Sequence, residues 1–188
     1  TLNELTPFVF SLQPGQRHAL YHGPLKSQSE HKLADLFEAE RELPLAPLSA
    51  MPDEISVINV FSLGSAEAVE RVSANIADEP HLVAYSGIAI HEREMGEHVT
   101  KEPALHWIDI HHSLGSKGNG INHLRKELEI DHVIAFGDGD NDLSMFECAS
   151  ECYAPANADP IILNAADEII GHHDEDGVAR FLRKRFEL

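Results

Sequence analysis

Basic residues are scarce in this sequence. Its 188 residues contain 14 Lys and Arg against 32 Asp and Glu, which gives a formal net charge of −18. A surface of that sign argues against nucleic acid or an anionic membrane as a partner, because both require a basic face. We therefore expect an acidic protein that needs a local cation or lysine to hold an anionic substrate.

Cysteines and long apolar runs are also few. Cys148 and Cys152 are the only cysteines, and their spacing fits neither a CxxC redox pair nor a zinc site with four ligands. Two buried or half-buried thiols in a reducing compartment are expected, which places the protein in the cytoplasm. No apolar run approaches the roughly 18 residues of a membrane span, and no targeting leader is recognisable. Because the sequence opens at Thr1 without methionine, we expect that something upstream was removed.

Hydrophobic residues make up 43% of the sequence, enough to build a buried core. Up to about residue 112 the pattern predicts a mixed α/β unit that opens with a hairpin and has loops at 43–52 and 92–104. After residue 113 strands and helices alternate, which predicts a parallel, doubly wound sheet. The expected strands there are 132–137, 151–154 and 168–170, and the expected helices are about 117–128, 140–149, 160–166 and 175–186.

A cluster of polar residues follows the predicted strand 132–137. Asp138, Asp140, Asn141 and Asp142 lie within five positions, beside two glycines that permit a tight turn. Ligand sites of doubly wound sheets form at the carboxyl ends of strands. Capping of the next helix by Asp140 or Asn141 explains one or two of the acids. It explains the whole cluster less well than Mg²⁺, which binds one or two carboxylates together with waters and phosphate.

A second candidate is Lys117, which opens a predicted helix and has three glycines close by. Gly115, Gly118 and Gly120 indicate that the backbone approaches something closely. A lysine at a helix amino terminus suits an anionic ligand, because the helix amino terminus and the ammonium group both attract negative charge. The alternative is a solvated surface lysine.

These two segments together carry a family resemblance. The stretch "SKGNGINHLRKELEI-DHVIAFGDGDNDLSMFECA" resembles the third and fourth motifs of the haloacid dehalogenase superfamily, in its Cof-type phosphatase branch. The stretch "APANADPIILNAADEIIGHHDEDGVARFL" also resembles that branch, and the first half is similar to its α/β cap. The resemblance implies an α/β fold with a cap at residues 1–112 and the C-terminal part of a Rossmann-like core at 113–188.

The resemblance also implies roles for individual residues. Asp138 would coordinate Mg²⁺, and Asp142 would orient Lys117 and a metal-bound water. Asn141 would bind the phosphoryl group, and Lys117 would neutralise its oxygens and the nucleophile. The implied activity is hydrolysis of a small phosphorylated metabolite, such as a sugar phosphate, through an aspartyl-phosphate intermediate. The substrate contacts that we expect are less specific: His18, Tyr21, the 86–98 loop and Asn157.

The sequence departs from the family in one large respect. The family's first motif, a strand that ends in DxDGT and supplies the nucleophile, is absent, because no DxD follows an apolar strand upstream of Lys117. The strand that ends in Ser or Thr is absent too. We expect a fragment of a longer phosphatase that is inactive alone, and the alternative is an inactive module that binds Mg²⁺ and phosphate. In the family the nucleophile's strand lies beside residues 133–136. Its loss would open a sheet edge and favour self-association.

Thirteen histidines invite a different metal site. His111-His112 and His172-His173 are adjacent pairs. Neighbours on a strand point to opposite faces, so such pairs are not expected to share a metal ion. The run "HHDEDG" is better explained as a loop with acids at the start of the next helix.

Overall fold

A hairpin begins a six-stranded sheet in the first half of the chain. The computed structural model describes residues 5–13, 15, 17–41, 44–88 and 105–188, and it divides the chain into two units, 1–113 and 114–188. The strand order of the first sheet is β3-β2-β1-β4-β6-β5, and only β2 and β3 run parallel. Its strands are β1 (Phe8–Gln13), β2 (Arg17–His22), β3 (Leu45–Pro47), β4 (Ser56–Gly64), β5 (Leu82–Ile88) and β6 (His106–His112).

The described part of this first unit contains two α-helices, α1 (Gln28–Arg41) and α2 (Ala66–Ala77). A capping box marks the start of α1: Glu30 N–H donates to Ser27 Oγ at 3.2 Å, and Ser27 N–H donates to Glu30 Oε2 at 2.8 Å. The apolar stripe of α1 packs on the hairpin, where Phe37 meets Phe8 edge-on with ring centroids 5.8 Å apart. The predicted hairpin and the mixed α/β character of this unit are therefore present.

The segment 43–52 is not wholly a loop, contrary to the prediction from its three prolines. β3 pairs with β2 in parallel at one edge of the sheet, and a 3-10 turn follows at Leu48–Ala50. Proline has no backbone N–H to donate. Pro47 is tolerated because β3 is an edge strand and has a partner strand on one side only. The predicted loop at 92–104 lies outside the described residues.

The second unit is a parallel three-stranded sheet in the order β7-β8-β9, as the alternation of strands and helices predicted. Ile162 and Ala154 are fully buried at its centre, Cys152 is buried and Cys148 is half-buried, and both cysteines are free, as expected. The elements are α3 (Lys117–Leu128), β7 (Ile134–Phe136), α4 (Leu143–Phe146), β8 (Glu151–Pro155), α5 (Pro160–Ala165), β9 (Glu168–Ile170) and α6 (Gly177–Phe186).

Two helices of this unit start later than predicted. A 3-10 turn at Asp140–Asp142 precedes α4, and another at His173–Glu175 precedes α6. The second turn ends at Asp176, whose φ of 55° is left-handed and interrupts the helix. None of the helices in the described ranges is long and apolar enough to cross a bilayer.

Candidate active site

The loop after β7 is fixed from both sides of the backbone. Gly137 N–H donates to Tyr153 O at 3.2 Å, which extends the pairing of β7 with β8. The carbonyl of Asp138 accepts the N–H of Asp159 at 2.8 Å, which ties the loop to the start of α5. The loop therefore sits at the carboxyl end of the parallel sheet, where ligand sites of such sheets form.

Asp142 folds back into this loop and is 4% exposed. Its Oδ2 accepts the backbone N–H groups of Asp138 at 2.9 Å and Gly139 at 3.3 Å. A Cβ on Gly137 would stand 2.6 Å from the Cβ of Asp142, so only glycine fits there. Asp142 therefore holds the loop, a capping role that we had expected of Asp140 or Asn141.

Lys117 reaches the loop from the first turn of α3. Ser116 caps this helix, and its Oγ accepts Asn119 N–H at 3.2 Å. Gly118 then packs against α4: its N–H donates to Ser144 Oγ at 3.2 Å, and a Cβ on it would stand 2.1 Å from Ser144 O. The close approach that the glycines indicated is therefore made by Gly118, and it sets the start of α3 beside the loop.

The predicted ion pair between Lys117 and Asp142 is confirmed, since Nζ of Lys117 bonds to Oδ1 of Asp142. Burial alone would raise the pKa of Asp142. The Lys117 ammonium and the two backbone N–H groups outweigh burial and hold that pKa below its usual value. The lysine side chain is 50% exposed, so its ammonium is fixed by Asp142 and still open to solvent.

Asp138 and Asn141 stand at the same end of β7. The Asp138 side chain is exposed, and its carboxylate has no hydrogen bond or ion pair to any residue that the structure describes. Both oxygens of Asp142 have protein partners, whereas those of Asp138 have none among the described residues. One free carboxylate among hard oxygen donors fits Mg²⁺, which keeps several waters in such sites.

A family model described as "haloacid dehalogenase-like hydrolase" matches residues 8–182 of this sequence. The chain belongs to this family. The family that residues 116–149 suggested is thereby confirmed, over nearly the whole chain.

Named relatives of this haloacid dehalogenase-like chain include phosphatases. The putative phosphatase YxeH of Bacillus subtilis is 28% identical over 163 residues, which are 86% of this chain and 55% of that protein. A phosphoglycolate phosphatase of Methanopyrus kandleri is 41% identical over 73 residues, 38% of this chain and 32% of that protein. This chain thus spans about half or less of the length of these curated relatives.

The fold is also that of solved members of the family. The structure of a haloacid dehalogenase-like hydrolase from B. subtilis superposes with a TM-score of 0.66 at 22% identity. The match covers 95% of this chain and 65% of that one. The predicted α/β fold of the family is therefore confirmed, whereas the cap and core roles of residues 1–112 and 113–188 stay predictions.

The expected substrate contacts fare unequally. Asn157 lies beyond β8, and its Oδ1 accepts His173 N–H at 3.1 Å. His18 is exposed on β2. Tyr21 is 4% exposed, and its hydroxyl accepts from Gln13 Nε2 at 2.6 Å. Its ring packs in a buried cluster with Val9 and Ala19, which argues against contact with a substrate. Of the 86–98 loop, only Ser86–Ile88 lies within the described residues, as the end of β5.

Sequence reasoning missed the two serines that position Lys117. Ser116 is the residue directly before the predicted helix, which is the ordinary signal of an N-cap. Ser144 carries no such signal, because its contact with Gly118 depends on how α3 packs on α4.

Proposed function

We propose that this chain forms the charge-stabilising part of a Mg²⁺-dependent phosphatase that acts on a small phosphorylated metabolite, such as a sugar phosphate. The observation that carries the proposal is the ion pair of Lys117 with the buried carboxylate of Asp142, held beside the carboxylate of Asp138, which pairs with none of the described residues. A surface lysine does not need a buried carboxylate that is also bound by two backbone N–H groups. A lysine that must meet an anion in one orientation does.

The chain's own residues would act chiefly by placing charge. Lys117 would face an oxygen of the transferring phosphoryl group, and Asp142 would keep the ammonium in place. The side-chain amide of Asn141 would donate to another phosphoryl oxygen. When bound at Asp138, Mg²⁺ would supply further neutralisation of the phosphoryl charge.

The nucleophile is proposed to come from a segment outside these 188 residues. The family resemblance assigns it to a strand that ends in DxDGT, a motif that the sequence does not contain. In that scheme a carboxylate attacks phosphorus, the substrate alcohol leaves with a proton, and water then hydrolyses the acyl phosphate. Asp138 and Asp142 have other roles in the scheme, so neither is the proposed nucleophile.

The activity is tested in the protein extended to the length of its phosphatase relatives. We expect it to hydrolyse an aryl phosphate with Mg²⁺, and we expect Lys117→Ala to lower kcat by roughly 10²-fold or more. Lys126→Ala, an exposed lysine at the other end of α3, should leave kcat unchanged. An extended protein that binds phosphate and Mg²⁺ but shows no turnover would favour the inactive binding module.

The metal is tested separately, by isothermal titration of Mg²⁺ into the 188-residue chain. Asp138→Asn should weaken binding, because it removes the free carboxylate of the site, whereas the exposed neighbour Asp140→Asn should bind like the wild type. Equal binding by wild type and Asp138→Asn would remove Asp138 from the metal site.

The substrate class is the least specific part of the proposal. The M. kandleri relative is named for phosphoglycolate, and the comparison covers only 38% of this chain. A panel of sugar phosphates, nucleotides, phosphorylated cofactors and phosphoglycolate, given to the extended protein, distinguishes these classes by kcat/KM.

A further inference from the structure

The turn between β9 and α6 brings two histidines and an aspartate together. His172 and His173 do not lie on a strand, and their ring centroids are 4.6 Å apart. The run was expected to be a loop, and the chain does turn there as β9 ends, so the argument that strand neighbours point to opposite faces does not apply to this pair. One ligand atom each from His172, His173 and Asp174 lie within 4.8 Å of one another.

The spacing of these atoms matches a small coordination shell. His173 Nε2 is 3.2 Å from Asp174 Oδ1, and His172 Nδ1 is 3.6 Å from Asp174 Oδ2. Ligand atoms placed tetrahedrally about a zinc ion at ~2.0–2.1 Å stand roughly 3.3–3.4 Å from each other. A cation bound at His172 Nδ1 would therefore replace the Asp174 N–H, which donates to that nitrogen at 3.2 Å, and the side chains would close in from separations of up to 4.8 Å.

The backbone of the turn is already fixed. His172 O accepts Glu175 N–H at 3.0 Å and Gly177 N–H at 3.1 Å, and Asn157 Oδ1 accepts His173 N–H at 3.1 Å. Gly171 and Gly177 pack backbone to backbone, since a Cβ on Gly177 would stand 1.8 Å from Gly171 O. Binding would thus have little backbone entropy to overcome.

The turn also has a purely structural use for one of these rings. Asp174 N–H donates to His172 Nδ1 at 3.2 Å, which caps the 3-10 turn. Capping does not account for His173 beside the same carboxylate. The side chains of His172, His173 and Asp174 are 40%, 62% and 77% exposed, so an ion can reach all three and keep waters in its remaining positions.

We propose that His172, His173 and Asp174 bind a transition-metal cation of the Zn²⁺ type, at a site made of different residues from the oxygen-donor site at Asp138. Imidazole nitrogens favour Zn²⁺, Ni²⁺ and Cu²⁺ over Mg²⁺. Three protein ligands leave a coordination position open, which water or an anionic oxygen would take. The proposal stands whether or not the chain takes part in phosphatase chemistry.

The test is a titration of the 188-residue chain with Zn²⁺. Calorimetry measures the affinity, and the ¹⁵N chemical shifts of the imidazoles identify the ligands. We expect a site for one Zn²⁺ that shifts His172 and His173 and that millimolar Mg²⁺ does not displace. His172→Gln/His173→Gln should weaken the site at least tenfold. The matched control is His81→Gln/His112→Gln, a stacked histidine pair with centroids 5.8 Å apart in the other unit, and it should keep the site.

A second variant guards against misfolding of the first. Asp174→Asn keeps the backbone N–H that caps His172 and should still weaken Zn²⁺ binding at least tenfold, with an unchanged circular dichroism spectrum. Equal Zn²⁺ affinity in wild type and both variants would overturn the proposal. So would loss of the site in the His81/His112 control, or its displacement by Mg²⁺.

Discussion

The two carboxylate oxygens of Asp142 have different partners. Oδ1 binds the Lys117 ammonium, and Oδ2 accepts two backbone N–H groups of the loop after β7. One buried side chain therefore sets both the shape of the loop and the position of the lysine. A substitution at Asp142 would confound these effects, whereas substitutions around it separate them.

Removing the cation isolates the ion pair. Lys117→Met should lower the free energy of unfolding at pH 7 by about 1–2 kcal/mol, because it leaves a buried carboxylate without its charge partner. The loss is no larger because the ammonium of Lys117 is half-exposed, and water screens the ion pair in the wild type. The folded state depresses the pKa of Asp142. The stabilisation is thus present above the unfolded pKa, near 3.9, and is lost as the pH falls through the folded pKa.

Urea unfolding at pH 7 and near pH 3 checks this prediction. The gap between wild type and Lys117→Met should narrow in acid. Lys126→Met, at an exposed position of α3, should stay within about 0.5 kcal/mol of wild type at both pH values. A gap that does not depend on pH would show that the loss comes from packing and not from the ion pair.

Two glycines of α3 provide a matched pair at the residue scale. A Cβ on Gly118 would stand 2.1 Å from Ser144 O, whereas a Cβ on Gly120 would meet nothing within 4 Å. Gly118→Ala should therefore destabilise the protein by about 1–3 kcal/mol through overpacking. Gly120→Ala should stabilise it by up to ~1 kcal/mol, since alanine favours a helix. Thermal unfolding of both variants decides this, and a shift of the same sign in both would contradict the packing of α3 on α4.

At the scale of elements, the amino end of β8 joins two other segments of the second unit. Glu151 accepts from the Tyr153 hydroxyl, from His132 Nε2 at 2.7 Å and from Arg185 of α6 at 3.1 Å. The Tyr153 ring packs between Phe136 of β7 and Phe181 of α6, with centroids 5.6 and 4.2 Å away. This network lies at the start of β8, whereas the candidate active site lies beyond the opposite end of the sheet.

These partners lower the pKa of Glu151 to about 2, and the Tyr153 hydroxyl is the largest cause. The associated stability is present above the unfolded pKa, near 4.3, and is lost as the pH falls through about 2. Tyr153→Phe should raise the pKa of Glu151 toward its usual value, as read from its ¹³C carboxyl shift. Tyr85→Phe, in the other unit, should leave it unchanged. An unchanged pKa in Tyr153→Phe would mean that the hydroxyl does not hold the carboxylate.

The sequence predicted these elements where the signals are local. α3 begins at the expected Lys117 because Ser116 before it is an N-cap. The meeting of Lys117 with Asp142 followed from adjacent βα units, which bring helix starts together at one sheet edge. The contacts of Gly118 with Ser144 and of Asn157 with His173 depend on packing between elements, and no local pattern encodes them. The β3 strand was missed because Pro47 within it and Pro44 before it oppose a strand everywhere except at an edge.

At the scale of the whole molecule, β7 pairs only with β8 among the described residues, so its other edge has no strand partner. Family resemblance places the nucleophile's strand there. An open, apolar edge is an association hazard. We therefore expect the 188-residue chain to self-associate in size-exclusion chromatography with light scattering. A peptide with the DxDGT strand of a family member should shift it toward the monomer, whereas the same peptide in scrambled order should not.

The same experiment tests activity, because the strand that would close the open edge of β7 is also the one proposed to carry the nucleophile. In the proposed mechanism Lys117 and Asn141 stabilise charge and the nucleophile comes from another segment, so that the chain alone would rely on direct attack by water, which is far slower. The chain alone should hydrolyse no aryl phosphate with Mg²⁺, and the DxD peptide should restore turnover together with the monomer. Asp138→Ala should abolish the restored turnover. Turnover by the chain alone that survives Asp138→Ala would overturn the proposed origin of the nucleophile, because a carboxylate within these 188 residues would then be attacking phosphorus.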